Sequence, residues 1–394
     1  MLSEQQLGLI KATIPVLESA GPALTAHFYQ RLFSHHPQLQ HIFNMSNQKS
    51  GRQQLALFEA IAAYAKNIEN VSVLVGAVER IAQKHTSLNI QPEHYAIVGE
   101  HLLATLAELA PESFPKNVLA AWQSAYQVLA GIFIEREAQL YRTRTEAAGG
   151  WCGPRAFKLI AKEVESELVT SFTFAPVDGQ PVLDYESGQY IGIEVHIPSA
   201  EFKEIRQYSL SQASNGQCYR ISVKREITPF KGVVSNYLHD ELVLGDEVTL
   251  YPPSGEFFFV ERHAPVVLIS AGVGITPMMA MLETLTQQQY KYPVSFLHAC
   301  NSLVQQSFSK DTQALCQQLN ATLYTWYQHE ESGNAFNGMM QLRSVALPLE
   351  AGDFYICGPI EFMKFIYQQL RALGVAPSRI HYEVFGPHQS VLGH

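Results

Sequence analysis

PVVLISAGVGITPMMAMLETL, residues 265–285, decides the architecture: an apolar run, a turn with glycines at 272 and 274, and a stretch of helical character. A strand apolar at consecutive positions is buried on both faces, the mark of a parallel sheet covered by helices. The unit recurs downstream. VSFLHAC, residues 294–300, and DFYIC, residues 353–357, read as further buried strands, the second followed by Gly358, Pro359 and a helix ending near Gly374. This alternation predicts an α/β domain with crossover helices. Upstream, CYRISVKRE, residues 218–226, alternates polar and apolar side chains, and DGQ, ESG and PPSG supply turns, so a small antiparallel β domain is expected. From residue 1 to about 142 apolar residues recur at helical spacing. Pro22, Pro92 and Pro115 mark helix starts and Pro37 ends a helix running towards His35. TRTEAAGGWCGP, residues 143–154, breaks the pattern and reads as a linker. The expected organisation is a helical domain over 1–142, a linker over 143–154, a β domain over 155–260 and an α/β domain over 261–394.

Composition narrows the function. With 27 Lys+Arg against 36 Asp+Glu and a net charge of −9, no basic footprint invites nucleic acid or an anionic membrane surface, so small-molecule chemistry is expected. The start MLSEQQLGLIKATIPVLESA lacks the basic region, apolar run and cleavage site of a signal peptide, and no apolar stretch approaches the ~20 residues that cross a bilayer. A cytoplasmic location is expected. Cys152, Cys218, Cys300, Cys316 and Cys357 are odd in number and form no CxxC pair, which suggests reduced thiols.

Several residues stand out from this background. Glu135 falls on the stripe Ala121, Ala125, Val128, Ile132, Glu135, whose spacings of four, three, four and three put it on a helix face expected to point inward. Either it meets a partner in the core, or it lies at the stripe's edge and reaches solvent. His85 closes LVGAVERIAQKH, and by itself reads as a surface or hydrogen-bonded histidine as well as a ligand. His35, His36 and His41 cluster in loop-like surroundings that favour a solvated face, and no metal is assigned to them. In the β domain Arg206, Gln207, Tyr208 and Ser209 follow Gly188, Gln189 and Tyr190. An arginine's planar fork matches a pyrophosphate, and Tyr208 and Ser209 set hydroxyl groups beside it. KGVVSNYLHD places Gly232, Val233, Val234 and Ser235 before a helix, a setting for phosphate or for a simple cap. Gly272, Val273, Gly274, Ile275, Thr276 and Pro277 join a buried strand to a helix, as a dinucleotide phosphate turn does, although Pro277 stands where the dehydrogenase fingerprint has its third glycine. Cys357, Gly358 and Pro359 end a second strand of the same sheet and should line the same crevice, where Cys357 also fits a plain buried residue.

The order Tyr29, Phe43, Gln53, Leu57, His85, Tyr95, Glu135 resembles the haem pocket of the flavohaemoglobins, and the chain resembles that family along its whole length. The resemblance implies a globin, an antiparallel β-barrel FAD domain and an α/β parallel-sheet NAD(P)-binding domain. It makes His85 the proximal ligand of the haem iron, with Phe43 packed on the haem and Gln53 and Leu57 on its distal side. Tyr29 is then the donor to dioxygen, Tyr95 and Glu135 activate His85, and Lys84 and Glu383 tune redox potential. The Arg206–Ser209 motif resembles the flavin site of ferredoxin-reductase-like proteins, with Tyr190 stacked on the flavin. Glu383, Val384, Phe385, Gly386 and Pro387 resemble the segment whose aromatic covers the flavin. NSLVQQS, residues 301–307, holds no arginine for a 2'-phosphate and tilts the coenzyme towards NADH over NADPH. The implied cofactors are haem b, FAD and NADH or NADPH, the implied partners O2, NO and the coenzyme, with no obligate protein partner. The implied activity is nitric oxide dioxygenation to nitrate. The readings set against it are a gas-sensing or oxygen-binding globin, and a flavin reductase of pteridines, ferric chelates or hydroperoxides.

Overall fold

The computed structural model describes residues 2–19, 21–43, 52–198, 200–228, 231–331, 333 and 335–386. The chain forms two compact units, residues 1–147 with 194–206, and residues 148–193 with 207–394. Among the described residues no helix is long and apolar enough to cross a membrane.

The helical part of the first unit comprises α1 (Glu4–Ala12), α2 (Ile14–Ser19), α3 (Gly21–His35), α4 (Arg52–Lys66), α5 (Val75–Thr86), α6 (Pro92–Leu109) and α7 (Lys116–Glu146). The prolines act as expected: α6 begins at Pro92, Pro115 is the N-cap of α7, and α3 stops before Pro37. Its main core gathers Leu24, Phe28, Tyr29, Leu32, Tyr64, Leu102, Leu106 and Trp122. A second, smaller cluster holds Ala82, Tyr95, Ala130, Phe133 and Leu140, and Tyr126 and Leu129 pack against both. The crossing of α6 and α7 depends on Gly99, where a Cβ would stand 2.4 Å from the Tyr126 ring. That close approach lets the Tyr126 hydroxyl donate to the Tyr95 carbonyl at 2.7 Å. The helix α7 runs four residues into the expected linker, because nothing in Thr143–Glu146 breaks a helix and Arg144 is buried on its inner face. The first left-handed glycine, Gly149 at φ 69°, comes only after it.

The β domain holds strands β1 (Arg155–Val164), β2 (Val169–Pro176), β3 (Tyr190–Val195), β4 (Glu204–Ser209), β5 (Tyr219–Lys224) and β6 (Glu247–Leu250), in the order β4-β3-β6-β1-β2-β5. Pairing is antiparallel in β1 with β2, β1 with β6 and β2 with β5. Just past β4, Leu210 bridges Ile221 of β5, which brings the two ends of the sheet order together as a barrel. The helix α8 (Val233–Asp240) follows β5. The α/β domain has a parallel six-stranded sheet of β7 (Val266–Ala271), β8 (Val294–Cys300), β9 (Thr322–Tyr327), β10 (Phe336–Asn337), β11 (Asp353–Cys357) and β12 (Ile380–Glu383), in the order β10-β9-β8-β7-β11-β12. Both faces are covered. Val266, Leu268, Phe296 and Tyr355 pack on α9 (Ile275–Gln287) and α10 (Ser309–Leu319), while Val267, Ile269, Leu297, Phe354 and Ile356 pack on α11 (Ile360–Ala372). The strand order reverses between β7 and β11, so the crevice for a ligand opens at their carboxyl ends.

Candidate functional site

His85 lies in the last turn of α5, and its Nδ1 is 2.8 Å from Oε1 of Glu137 and 2.8 Å from the Tyr95 hydroxyl. The Tyr95 hydroxyl in turn donates to the same Glu137 oxygen at 2.5 Å. One arrangement of protons satisfies all three contacts: Nδ1–H is shared between the two oxygens, and the carboxylate accepts twice. Burial, followed by the Glu137 charge, raises the Tyr95 pKa, so the phenol stays a donor across the neutral range. Phe133 backs the group, stacked on Tyr95 with ring centres 6.2 Å apart and lying 5.9 Å from the His85 ring. With Nδ1 occupied and the His85 side chain 31% exposed, Nε2 is the nitrogen left to bind a metal; among the described residues it has no hydrogen-bond partner. The chain therefore offers one oriented imidazole, the donor set that a haem iron takes from a protein.

The carboxylate of this group is Glu137, not the expected Glu135. Glu135 is exposed, whereas Glu137 is 3% exposed. The buried face of α7 runs Trp122, Ala125, Phe133, Glu137, Leu140, Arg144, and Val128 of the expected stripe is 41% exposed. Two residues turn a helix by about 200°, so the two glutamates face opposite ways. The adjacent apolar pairs Val128–Leu129 and Ile132–Phe133 let the stripe be drawn on either side. The signal that separates them lies further along, since only Glu137 continues to Leu140 by a helical step.

Tyr29 of α3 is 5% exposed and its ring meets those of Phe28, Phe33 and Phe43 with centres 5.0–5.7 Å apart. Burial raises its pKa, and among the described residues its hydroxyl has no hydrogen-bond partner. Phe43 and Leu57 are half-buried against the same core. Gln53 lies on α4 one turn before Leu57, but its side chain is outside the described residues. Lys84 is half-buried beside His85 in sequence.

In the second unit Tyr190 exchanges backbone hydrogen bonds of 2.9 Å with Ser254, and a Cβ on Gly255 would come 3.0 Å from its ring. Gln189 donates to the Gly255 carbonyl at 3.0 Å, and the Leu210 amide donates to the Gln189 carbonyl at 3.0 Å, tying GQY to the end of the Arg206–Ser209 strand. On that strand Ser209 is buried and Gln207 and Tyr208 are half-buried; Arg206 pairs with Glu204 at 2.8 Å. At the start of α8, the Ser235 hydroxyl serves its own turn, accepting from the Glu226 amide and donating to the Gly232 carbonyl. No side chain caps this helix, Val234 is buried and the Gly232 amide donates to the Glu226 carbonyl at 2.9 Å, so the backbone amides of Val234 and Ser235 are what this turn can offer a phosphate.

Gly272 sits at φ 52°, and a Cβ on Gly274 would stand 2.3 Å from the Cys357 carbonyl oxygen. Gly274 thus lets the turn that starts α9 close onto the end of β11. Ile275, Thr276 and Pro277 are buried in the first turn of α9, the Thr276 hydroxyl donates to the Val273 carbonyl at 3.0 Å, and α9 has no side-chain cap. Cys357 is fully buried and its thiol pKa is raised by burial, so it acts as a packed neutral group. Glu383 pairs in register with Cys357 from β12. After it Val384 is buried, Phe385 is 41% exposed and Gly386 adopts φ 115°; Pro387 lies outside the described residues. The exposed ring of Phe385 is the opposite of a core aromatic closing the last strand.

The globin family matches residues 26–133, the oxidoreductase FAD-binding domain residues 156–259 and the oxidoreductase NAD-binding domain residues 268–368. A flavohemoprotein of Vibrio cholerae serotype O1 is 58% identical over 390 residues, covering 98% of this chain and 99% of that protein. The chain belongs to the flavohaemoprotein family. Among solved structures, the flavohemoglobin of Malassezia yamatoensis with bound FAD and heme superposes with a TM-score of 0.89 at 26% identity, covering 98% of this chain and 100% of that one. The FAD/NAD-binding domain of a nitric oxide dioxygenase from Vibrio cholerae O1 biovar El Tor is 54% identical, with a TM-score of 0.58, over 59% of this chain and 99% of that one. This flavohaemoprotein is an oxidoreductase whose three domains are those for haem, FAD and nicotinamide dinucleotide.

Proposed function

We propose that the chain is a nitric oxide dioxygenase in which two NO and two O2 are converted to two nitrates at the expense of one NAD(P)H, releasing NAD(P)+ and a proton. The observation that carries this reading is the network of His85, Tyr95 and Glu137. A carboxylate bonded to the far nitrogen of a ligating imidazole makes it a stronger electron donor, which favours oxygen activation over reversible storage. Bound at His85, at the Arg206–Ser209 strand and at the turn 272–277 respectively, haem, FAD and the coenzyme would together supply one-electron and dioxygen chemistry fed by hydride.

The chain's own residues position and tune. His85 presents Nε2 to the iron, held in one tautomer by Glu137 and Tyr95. Tyr29 offers its hydroxyl, which has no hydrogen-bond partner among the described residues, as donor to the diatomic substrate, and its apolar surroundings strengthen that bond by excluding water. The two apolar clusters of the globin, one with Tyr29, Phe43 and Leu57 and one with Tyr95 and Phe133, suit the two faces of a flat apolar group. Arg206, Gln207, Tyr208 and Ser209, with Tyr190, the close approach at Gly232 and the amides of Val234 and Ser235, are assigned to FAD. The turn Gly272–Pro277 is assigned to the coenzyme pyrophosphate, and Val384, Phe385, Gly386 and Pro387 to covering the flavin. Lys84 and Glu383 are assigned to setting redox potential. The lack of a cation in residues 301–307 tilts the coenzyme towards NADH over NADPH. The nitric oxide dioxygenase among the solved relatives supports the choice of substrate.

Nitric oxide consumption by the purified protein with NADH, with and without oxygen and with nitrate quantified, tests the proposal. Removal that needs oxygen and yields nitrate is expected. A Tyr29→Phe variant loses one hydrogen bond of the charge-assisted kind, about 1.5–3 kcal/mol, and should slow the reaction roughly tenfold or more. NADH oxidation without nitrate would assign the chain to reduction or sensing instead.

A further inference from the structure

Arg144 is the one arginine on the buried face of α7, 8% exposed, two turns beyond Glu137. Its guanidinium donates from Nη1 to the Thr86 hydroxyl at 2.6 Å and from Nη2 to Gln83 Oε1 at 2.5 Å. These two acceptors lie one helical turn apart on α5 and bracket His85 in sequence. Both are themselves fixed. The Thr86 hydroxyl donates to the Gln83 carbonyl at 2.9 Å, and the Gln83 amide donates to Glu79 at 2.8 Å. Glu79 then accepts two bonds from Arg136 at 2.6 and 3.0 Å. A continuous chain of hydrogen bonds thus runs from Arg144 through Gln83 to the accepting carboxylate of Glu79, with Arg136 donating to it from the far end, and it clamps α5 against α7 at three successive levels of the helix. The bond from His85 to Glu137 joins the same two helices.

We infer that Arg144 is a positioning residue for His85: by gripping α5 at Gln83 and Thr86 it sets the rotation and height of the helix at which the imidazole meets Glu137. The inference rests on the reading of His85 as the haem ligand. A helix held at one point can turn about it, whereas a planar fork bonded to two acceptors a turn apart removes that freedom. Ligand orientation of this kind has to be kept within about 0.5 Å to preserve the second bond of the imidazole.

The test compares Arg144→Met, Arg144→Lys, Thr86→Val and Thr86→Ser in the full-length holoprotein. The readouts are the iron–histidine stretching band of the ferrous form and the haem midpoint potential. If Arg144 positions His85, the Met, Lys and Val variants weaken the Glu137 bond, so the band moves to lower frequency and the potential rises, while Thr86→Ser, which keeps the acceptor, behaves as wild type. Lysine fails here because it keeps the charge and loses the fork. A buried cation acting through space gives the opposite sign: its removal lowers the potential and Arg144→Lys changes nothing, an outcome that overturns the inference. Unchanged bands in both Arg144→Met and Thr86→Val overturn it equally. His85→Ala separates the two levels of argument: if the band survives that change, the assignment of His85 itself is wrong, whatever Arg144 does.

Discussion

Glu137 is a carboxylate almost wholly out of water, a position that is costly unless its oxygens are bonded. Here one oxygen accepts from both Tyr95 and His85, and the same bonds that satisfy the buried group direct its charge at the imidazole. Glu137→Gln should therefore lower oxygen-dependent nitric oxide consumption by roughly 10–100-fold, the usual range for losing an outer partner of a metal-bound histidine. Glu135→Gln, on the exposed side of the same helix, should leave the rate unchanged. Steady-state rates of the two variants at equal haem content decide which glutamate acts. Equal losses, or a loss only at position 135, would remove the buried network from the mechanism. Tyr95 remains a donor across the neutral range because burial and the neighbouring carboxylate both hold its proton on.

Elements are placed by what their small residues allow. The turn from β7 to α9 reaches the end of β11 only because Gly274 has no side chain, a Cβ there standing 2.3 Å from a backbone oxygen that cannot move aside. Gly274→Ala should push the turn away from β11 and open the crevice at the strand ends, at a cost of about 1–3 kcal/mol in the α/β domain. The expected result is a rise in KM for NADH of tenfold or more, while the visible spectrum of the haem and its ligand binding stay as in the wild type. Stopped-flow reduction of the flavin by NADH measures this directly; undiminished reduction in the variant would mean the coenzyme does not use this turn. Cys357 shows why sequence motifs need such context. Its place at a strand end looks reactive, yet the thiol is sealed and its pKa is raised, so the carbonyl and the glycines around it shape the crevice.

For the whole molecule, acid stability follows from the histidines it buries uncharged. His298 on β8 is fully buried, bonded at Nδ1 to the Ser270 hydroxyl at 2.9 Å, and its pKa is pulled down to about 4 by burial. The folded chain refuses a proton that the unfolded chain accepts below about 6.5. The contribution to stability is thus complete above pH 6.5 and is lost as pH falls from there through 4, to the extent of roughly 3 kcal/mol. Thermal midpoints recorded from pH 7.5 to 4.5 should fall steeply for the wild type and less steeply for His298→Gln, whose own midpoint at pH 7.5 is allowed to be lower. Parallel slopes would place the acid-labile group elsewhere. At this scale the sequence by itself determined the order of helical, antiparallel and parallel parts, because periodicity, glycine turns and prolines act on neighbouring residues. It also singled out the glycine turn at 272–277, which starts α9, and His85, which meets Tyr95 and Glu137. Tertiary structure alone decided which of Glu135 and Glu137 meets His85, that Arg144 is an inner residue and not the start of a linker, and that Phe385 stands out from the core. Each of those depends on how one element is rotated against another, and two residues' difference on a helix is half a turn, which local pattern cannot resolve when apolar residues occupy both candidate faces.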